Sequence, residues 1–393
     1  MAMKHDFFSL LVAFSVTLIL LQGLRHMAVR IGLLDHPSER KVHAGKVPLI
    51  GGLSMFIGFS LAALTLDFAL TPLRAFFAAG ALLVMVGVLD DLRELSSRSR
   101  FAAQILAAAI MIGWGHLLLS DLGYIGPGGR LFALNGWDYL FSVFCTVGVI
   151  NALNMCDGVD GLAGGLSLIA VLGLAWLAHR AGFDADRSVL VLLAAVILAF
   201  LAFNLRLPGR PGALVFMGDA GSMFLGFAIT WFFIHLSQGE ARAMPPVAAL
   251  WLLLLPLFDT VWLLFKRPLS GRWPTAASHE HLHHVLQMAG LSVTQTVYTL
   301  LAVAALCAAA GLYALEQGVS EQWMFGIFMG LFAVYCGIMW QAWFHKRLLL
   351  WPIERRLNRE DRRGVERREG DRRKRLERRG TGTDRRQQVA SES

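Results

Sequence analysis

The chain has 393 residues, of which 56% are hydrophobic and only 16% are charged, with a formal net charge of +8. That balance is too apolar for a soluble domain of this size, and it indicates a membrane protein with several spanning segments. It excludes the disordered, highly charged class of chain for everything except the C-terminal end, where the excess of basic residues is concentrated.

Eleven apolar segments are each long enough to cross a hydrocarbon core about 30 Å thick. The first follows only Lys4 and lacks a small-residue cleavage site, so we expect a retained helix and not a signal peptide. The sequence therefore predicts an all-α polytopic membrane protein with about eleven transmembrane helices. In chain order the predicted spans are 7–24, 50–70, 74–89, 101–119, 137–154, 161–179, 187–204, 220–236, 245–265, 293–314 and 322–344.

Lys and Arg are distributed unequally between the two sets of connecting loops. Thirteen lie in the loops on one side of the predicted membrane, against six on the other. Because cytoplasmic loops carry the excess of Lys and Arg, the richer side is predicted to be cytoplasmic. With an odd number of helices, the N-terminus is then outside and the C-terminus is cytoplasmic.

The C-terminal end differs in composition from the rest of the chain. Residues 346–393 carry seventeen Lys or Arg and nine Asp or Glu, which accounts for the whole net charge of +8. We therefore divide the chain into a transmembrane domain, residues 1–345, and a basic tail, residues 346–393, that is predicted to be disordered. The tail is expected either to contact anionic lipid headgroups or to be solvated without a specific role. No nucleic acid is expected, because no aromatic residues interleave with the arginines.

The first polar motif precedes the second span, on the predicted cytoplasmic side. Arg40, Lys41 and His43 lie close together there and can clamp phosphate groups. Gly51 and Gly52 follow at the start of the next helix, where the lack of side chains lets backbones pack closely. The alternative is an ordinary basic loop with a Pro/Gly turn, as the positive-inside rule predicts.

Two adjacent carboxylates, Asp90 and Asp91, end the third predicted helix. A negative charge at a helix C-terminus opposes the helix dipole and is mildly destabilising. This penalty favours a role in metal or phosphate handling over a merely solvated helix end.

The run from Asn151 to Gly161 directly follows an apolar segment and contains two Asn, two Asp and two Gly residues. Hard cations bind oxygen ligands, which Asp and Asn supply. Glycine lets the backbone approach a bound phosphate closely. Asp157 and Asp160 are three residues apart, so on a continuing helix they share a face. Charges at a membrane boundary are costly unless they have a function, and the run therefore predicts phosphate and metal chemistry at the membrane surface.

The connection between the seventh and eighth spans carries a related motif, Phe216 to Ser222. Its Asp219 is flanked by glycine and precedes a helix whose N-terminal N–H groups favour an anion. Each of these motifs is weak alone, but all of them fall on the same predicted face of the membrane.

Four histidines and a Glu lie within residues 279–284, between the ninth and tenth spans. Three interpretations are open: a zinc site, contact of His N–H groups with a phosphate or nucleotide, and a solvated loop. We favour phosphate contact, because zinc ligands are usually spread over two elements and no Cys accompanies these histidines. Asp259, near the inner end of the ninth span, is interpreted as a structural partner of Lys266 or Arg267.

Taken in order, these motifs resemble those of the polyprenyl-phosphate N-acetylhexosamine-1-phosphate transferase family. The similarity runs from about residue 31 to residue 290 and rests on five ordered motifs. They are Asp35…Arg40-Lys41-x-His43…Gly51-Gly52, Asp90-Asp91, Asn151-x-x-Asn154-x-x-Asp157-Gly-x-Asp160-Gly161, Phe216-Met217-Gly218-Asp219-x-Gly221-Ser222 and His281-x-His283-His284.

The resemblance implies transfer of a sugar 1-phosphate from a UDP-sugar to a polyprenyl phosphate, undecaprenyl phosphate in bacteria, with release of UMP. The chain is most similar to the branch that uses UDP-GlcNAc to initiate lipid-linked glycans such as O-antigen, which has eleven helices and the His-x-His-His motif. The alternative is the phospho-MurNAc-pentapeptide transferase of peptidoglycan synthesis, which typically has ten helices. The Asp-Arg pair usual before the histidines is replaced here by Ser278-His279, which leaves the donor sugar open.

The resemblance also implies roles for individual residues. Asn154 and Asp219 are expected to bind Mg²⁺, with Mn²⁺ as a substitute. Asp90 and Asp91 are expected to engage the lipid phosphate.

Asp157 and Asp160 are expected to be further catalytic carboxylates, which position the metal ion and the nucleotide part of the donor. The protein is expected in the bacterial inner membrane with its active site in the cytoplasm, and a homodimer is left open. Substrate contacts are expected from six basic residues: Arg40, Lys41, His43, His281, His283 and His284.

Two other classes of protein were compared with this prediction. A transporter of lipid-linked sugars would place charged residues near the membrane midplane on broken or paired helices, whereas these motifs lie at one face. A scaffold that recruits partners through its tail would not explain six carboxylates at the ends of separate helices on one side.

Overall fold

The computed structural model describes residues 2–35, 46–210, 212–269, 271 and 280–344. The chain forms two units with a boundary between Ala333 and Val334, and the contacts described below belong to the first unit. The elements, in chain order, are α1 Ala2–Ile31, β1 Leu34–Asp35, β2 Val47–Pro48, α2 Gly51–Ala63, a 3₁₀ turn Thr71–Leu73, α3 Arg74–Arg93, α4 Ser97–Gly113, α5 Asp138–Cys156, α6 Leu162–Arg180, α7 Asp184–Asn204, α8 Gly218–Ser237, α9 Val247–Leu252, α10 Leu254–Leu269, α11 Leu282–Met288, α12 Val293–Glu316 and α13 Glu321–Phe344.

The prediction of an all-α polytopic membrane protein is confirmed, since every predicted span overlaps a helix. Over the described ranges, eight helices are long and apolar enough to cross a membrane: Phe7–Ile31, Thr71–Arg93, Asp138–Cys156, Leu162–Arg180, Asp184–Asn204, Gly218–Ser237, Val293–Glu316 and Glu321–Phe344. The total of eleven crossings and the orientation of the termini stay predictions.

Three predicted spans differ clearly from the helices that form. The helices of the spans predicted at 50–70 and 101–119 end already at Ala63 and Gly113. The span predicted at 245–265 is divided into α9 and α10 at Leu253. Pro256 explains the division, because proline lacks the N–H that would bond to the carbonyl of Leu252 and its ring clashes with that carbonyl.

Helix α8 is the centre of the bundle and is buried along almost its whole length. Aromatic rings from α2, α3 and α8 pack together around Phe76, whose ring centroid lies 5.4 Å from that of Trp231 and 5.9 Å from those of Phe59 and Phe227. Such edge-to-face and offset pairs contribute about 1 kcal/mol each beyond the area that they bury. The aromatic core therefore holds α8 in a fixed position relative to α2 and α3.

Small residues let two helices approach the N-terminal turn of α8 at backbone distance. A Cβ atom on Gly52 of α2 would lie 2.0 Å from the backbone nitrogen of Gly221, and one on Gly87 of α3 would lie 2.3 Å from Cα of Ala220. Close contact through small residues is the usual way in which membrane helices associate. The close backbone packing predicted for Gly51 and Gly52 is confirmed.

A short antiparallel pair of strands, absent from the all-α prediction, lies at the same end of the bundle. Strand β1 pairs with β2 in the register Leu34 to Pro48. The backbone of Phe216 donates to the carbonyl of Pro48 at 2.9 Å, and Gly51 and Gly52 donate to the carbonyls of Phe216 and Met217 at 3.0 and 2.9 Å. These bonds hold the segment before α8 against the start of α2.

Candidate active site

Three helix ends bring together polar residues that are far apart in the sequence. Asp90 lies near the C-terminal end of α3, Asn154 near the C-terminal end of α5, and Asp219 in the first turn of α8. The Nδ2 of Asn154 donates to Oδ1 of Asp219 and, at 2.9 Å, to Oγ of Ser222. The predicted convergence of the motifs around Asp90, Asn154 and Asp219 is therefore present in the fold.

Arg100 completes this carboxylate cluster, which we define as Asp90, Asp91, Asp219, Asn154 and Arg100. Its Nη1 lies 3.2 Å from Oδ2 of Asp90 and 3.4 Å from Oδ2 of Asp219. Asp90 is only 5% exposed, whereas the Asp219 side chain is 25% exposed. One guanidinium thus balances two carboxylates, of which Asp219 is the more accessible to a ligand.

Arg100 was not among the predicted site residues, although its position in the sequence is informative. Arg100 lies in the first turn of α4, whose N-cap Ser96 accepts a hydrogen bond from the backbone of Ser99 at 3.2 Å. A cation near a helix N-terminus opposes the helix dipole, as Asp90 does at the other end of a helix. A charge that opposes the helix dipole therefore marks Arg100 in the same way as it marks Asp90 and Asp91.

Asp91 has a structural contact that the sequence did not predict. Its Oδ1 accepts the backbone N–H of Asp219 at 3.0 Å. The group bound at the N-terminus of α8 is therefore a side chain of α3. Its Oδ2 is buried and accepts no hydrogen bond among the described residues. Gly218 has φ of +72° and leaves the space that Oδ2 occupies, since a Cβ there would lie 2.4 Å from this oxygen. Asp91 therefore fixes the start of α8.

Asp157 and Asp160 do not share a helix face, because helix α5 does not continue through them. Helix α5 ends at Cys156, and Asp157 is its half-buried C-cap residue. Asp160 accepts from Nε of Arg206 at 2.8 Å and from the backbone of Ala213 at 3.2 Å. Asp160 consequently ties the turn after α5 to the segment that leads into α8.

The three motif histidines form a second group, the histidine cluster, defined as His281, His283 and His284. His281 precedes the short helix α11, which replaces the predicted loop. The rings of His281 and His283 are nearly parallel with centroids 5.3 Å apart, and those of His283 and His284 are 4.2 Å apart. A Cβ on Gly158 would lie 3.9 Å from Nε2 of His283, which places the histidine cluster beside the turn after α5.

The charged groups of α10 hold this segment. Nδ1 of His281 lies 2.6 Å from Oδ2 of Asp259, and both residues are buried. Lys266 pairs with Glu280, and Asp259 holds His281, a partner that the sequence did not suggest. Burial lowers the pKa of the Arg267 guanidinium, and the carboxylates of Glu280 and Asp259 oppose that shift.

The remaining predicted substrate contacts, Arg40, Lys41 and His43, lie outside the described residues. Within the described part of the chain, no group of three or more His, Cys, Asp or Glu side chains is arranged to hold a metal ion. The two carboxylates that meet at Arg100, those of Asp90 and Asp219, fit a magnesium ion, while the amide of Asn154 turns its Nδ2 toward Asp219. Magnesium typically takes one or two protein carboxylates and completes its shell with water and substrate phosphates.

Comparison with known proteins identifies the family of this chain. Residues 73–237 match the family model described as glycosyl transferase family 4. The chain is 36% identical to the undecaprenyl-phosphate α-N-acetylglucosaminyl 1-phosphate transferase of Haemophilus influenzae, over 87% of this chain and 96% of that protein. It is 33% identical to the protein of the same name from Escherichia coli O157:H7, over 89% of this chain and 95% of that protein. The chain therefore belongs to glycosyl transferase family 4.

Proposed function

We propose that the protein transfers N-acetylglucosamine 1-phosphate from UDP-N-acetylglucosamine to undecaprenyl phosphate and releases UMP. The observation that carries this proposal is the meeting of Asp90, Asp219 and Asn154 with Arg100 at one end of the helix bundle. Such a group offers oxygen ligands to a cation and a cation to a phosphate. Relatives at 33% and 36% identity are named for the same acceptor and the same sugar, which supports the choice of substrates.

The reaction is a displacement at phosphorus. An oxygen of the lipid phosphate attacks the β-phosphorus of the donor, a new P–O bond forms, and the bond from that phosphorus to the bridging oxygen breaks, so that UMP leaves with the electron pair. A phosphate monoester has a second pKa near 6 and is mostly dianionic at neutral pH, so the nucleophile scarcely needs a general base. The main barrier is the repulsion between two anions, and the site must neutralise it.

The carboxylate cluster supplies this neutralisation in two ways. Arg100 can bind a phosphate oxygen directly, because its guanidinium is a fork of N–H donors. Asp219 and Asn154, with Asp90 beside them, would hold Mg²⁺, or Mn²⁺ in its place. When bound, the ion would screen the diphosphate and stabilise the charge on the leaving UMP.

The histidine cluster and Asp157 are proposed to bind the donor. His283 lies against Gly158, the residue after Asp157, so both motifs border the same space. Imidazole N–H groups can donate to the diphosphate, and Asp157 can position the metal ion and the nucleotide part of the donor.

Asp91 and Asp160 contribute by position as well as by charge. Asp91 holds the backbone of Asp219, and Asp160 holds the turn after α5 through Arg206. Asp90 is proposed to engage the lipid phosphate, with Asp91 fixing the start of α8 beside it.

Arg40, Lys41 and His43 are proposed to contact substrate phosphate, on the basis of where their segment starts and ends. Strands β1 and β2 flank this segment, and Pro48 of β2 accepts from the backbone of Phe216, two residues before Gly218. The basic segment is thus joined to the bundle beside the N-terminus of α8.

We further propose that the enzyme lies in the bacterial inner membrane with eleven crossings, its N-terminus outside and its active site in the cytoplasm. The excess of Lys and Arg in the loops of one side supports this orientation. The catalytic part would be residues 1–345, the basic tail 346–393 would contact anionic lipids, and a homodimer would be compatible with the proposal.

Purified protein in detergent, supplied with undecaprenyl phosphate and Mg²⁺, tests the proposal with a panel of radiolabelled UDP-sugars. We expect a lipid-linked product and an equal amount of UMP with UDP-GlcNAc. Product only from UDP-MurNAc-pentapeptide would assign the peptidoglycan reaction. No product from any donor, with a protein that still binds UDP, would overturn transfer as the function.

A further inference from the structure

Helix α10 carries two buried charges that hold the segment before α11. Asp259 and Lys266 are seven residues apart, about two helical turns, and so lie on one face of α10. Oδ2 of Asp259 lies 2.6 Å from Nδ1 of His281, and its Oδ1 accepts the backbone N–H of Leu282 at 3.0 Å. Lys266 pairs with Glu280. Three consecutive residues, 280–282, are therefore fixed on α10 by two separate anchors.

The two anchors differ in what they hold. The Lys266–Glu280 pair joins side chains outside the histidine motif, whereas Asp259 binds the imidazole of His281 itself. A carboxylate on Nδ1 selects the ring form that is protonated there and leaves Nε2 for a ligand.

We propose that Asp259 is a positioning residue for binding of the anionic sugar-nucleotide donor, acting through His281. It holds the imidazole by Nδ1, sets its tautomer and its orientation against His283, and so presents Nε2 to the sugar-nucleotide donor. The parallel stacking of His281 and His283 extends this orientation to the ring beside Gly158. The inference rests on the proposed function for the identity of the donor.

Asp259→Asn is the informative substitution. It preserves the volume of the side chain, and its amide oxygen can still accept from the backbone of Leu282. It removes the negative charge and turns an N–H group toward Nδ1 of His281. A role confined to anchoring the segment would survive this change, whereas a role in setting the tautomer and the orientation of the imidazole would not.

The experiment compares Asp259→Asn, His281→Gln and the double variant, with Glu280→Gln as the matched control for anchoring. For each protein the Kd of UDP-GlcNAc, the KM, kcat and the Tm in detergent are measured. We expect each single substitution to raise Kd and KM at least tenfold with a smaller change in kcat. The double variant should be no worse than His281→Gln, and Glu280→Gln should stay within twofold of wild type. Asp259→Glu, which keeps the charge, should recover part of the affinity.

Three results would overturn the inference: wild-type affinity in Asp259→Asn, losses that multiply in the double variant, or an equal loss in Glu280→Gln. If Asp259→Asn lowers the Tm strongly, the Asp259→Glu variant is used instead. A Kd between those of wild type and Asp259→Asn would then support the inference, and a Kd equal to that of Asp259→Asn would overturn it. Wild-type protein that binds UDP-GlcNAc but makes no lipid-linked product would refute the proposed function and not the inference about Asp259. The Kd of UDP-GlcNAc in the variants would then still test that inference. Wild-type protein that fails to bind the donor would overturn both.

Discussion

At the scale of single residues, the site depends on a balance between carboxylates and one guanidinium. Arg100 lies between Asp90 and Asp219, so the cluster holds three carboxyl groups against one guanidinium at a membrane boundary. An uncompensated charge there is costly, and a cation from solution would relieve it. The arrangement is therefore suited to a bound metal ion more than to a structural ion pair alone.

Replacing Asp219 with Asn should reduce kcat by about 100-fold or more, because it removes the accessible carboxylate of this cluster. The concentration of Mg²⁺ that gives half-maximal activity should rise at the same time, and EDTA should abolish wild-type activity. Asp184→Asn, which changes an exposed carboxylate at the start of α7, is the matched control and should behave as wild type. Near-normal turnover in Asp219→Asn, or full activity in EDTA, would refute the metal assignment.

Asp91 allows its structural and chemical roles to be separated. Asp91→Asn keeps an oxygen for the backbone N–H of Asp219, so we expect an unchanged Tm, a lower kcat and a similar KM for the UDP-sugar. Asp91→Ala removes the helix cap as well and should cost about 1 kcal/mol of stability. Thermal unfolding and steady-state kinetics of both variants measure this. An Asn variant in which only KM rises would reassign the residue to donor binding.

The residue types of the site could be predicted from the sequence, whereas their partners could not. Asp90, Asn154, Asp219 and the histidines are polar groups beside apolar segments, and such placements are informative without coordinates. The bonds of Arg100 to Asp90 and of Asp259 to His281 connect positions on different helices. They depend on which helix ends meet, and neither periodicity nor charge pattern contains that information.

At the scale of elements, the apolar segments predicted the helices well, and the errors lie where backbone chemistry intervenes. Pro256 divides the ninth predicted span into two helices. The β1–β2 pair was missed because each strand has only two residues, too few for an alternating pattern. The helix α11 was missed because its histidines suggested a loop.

The contact between α2 and α8 is predicted to control activity from a distance. A methyl group at Gly52 would meet the backbone of Gly221, which cannot yield as a side chain can, so Gly52→Ala should destabilise the protein by about 1–3 kcal/mol. It should also lower kcat by displacing the first turn of α8, where Asp219 lies. Gly148→Ala in α5 is the control, because a Cβ there meets nothing within 4 Å. Equal Tm and kcat in the two variants would contradict the role given to this contact.

At the scale of the whole molecule, the same basic residues serve orientation and the site. Arg100, Arg206 and Lys266 belong to the loops or helix ends that are rich in Lys and Arg, and each pairs with a carboxylate of a site motif or its support. Some of the Lys and Arg residues that predict the cytoplasmic side are therefore also needed locally, as partners of these carboxylates. This coincidence is expected for an enzyme whose anionic substrates are bound at that face.

The basic tail is predicted to be dispensable for chemistry and to act at the membrane surface. Its seventeen Lys and Arg residues follow the last predicted span, where anionic lipids produce a negative potential that decays within about 8 Å at physiological salt. Protein truncated after Trp351 should keep its kcat in detergent with a short-chain acceptor. In anionic liposomes it should lose apparent affinity for the acceptor, and the loss should shrink as salt rises.

A full-length variant in which the paired arginines of the tail are replaced by glutamine separates charge from length. It should reproduce the truncation in anionic liposomes and match wild type in neutral ones, because only the attraction to the headgroups has changed. A well-folded truncation without activity in detergent would show instead that the tail contributes to the active site. The catalytic unit would then extend beyond residue 345.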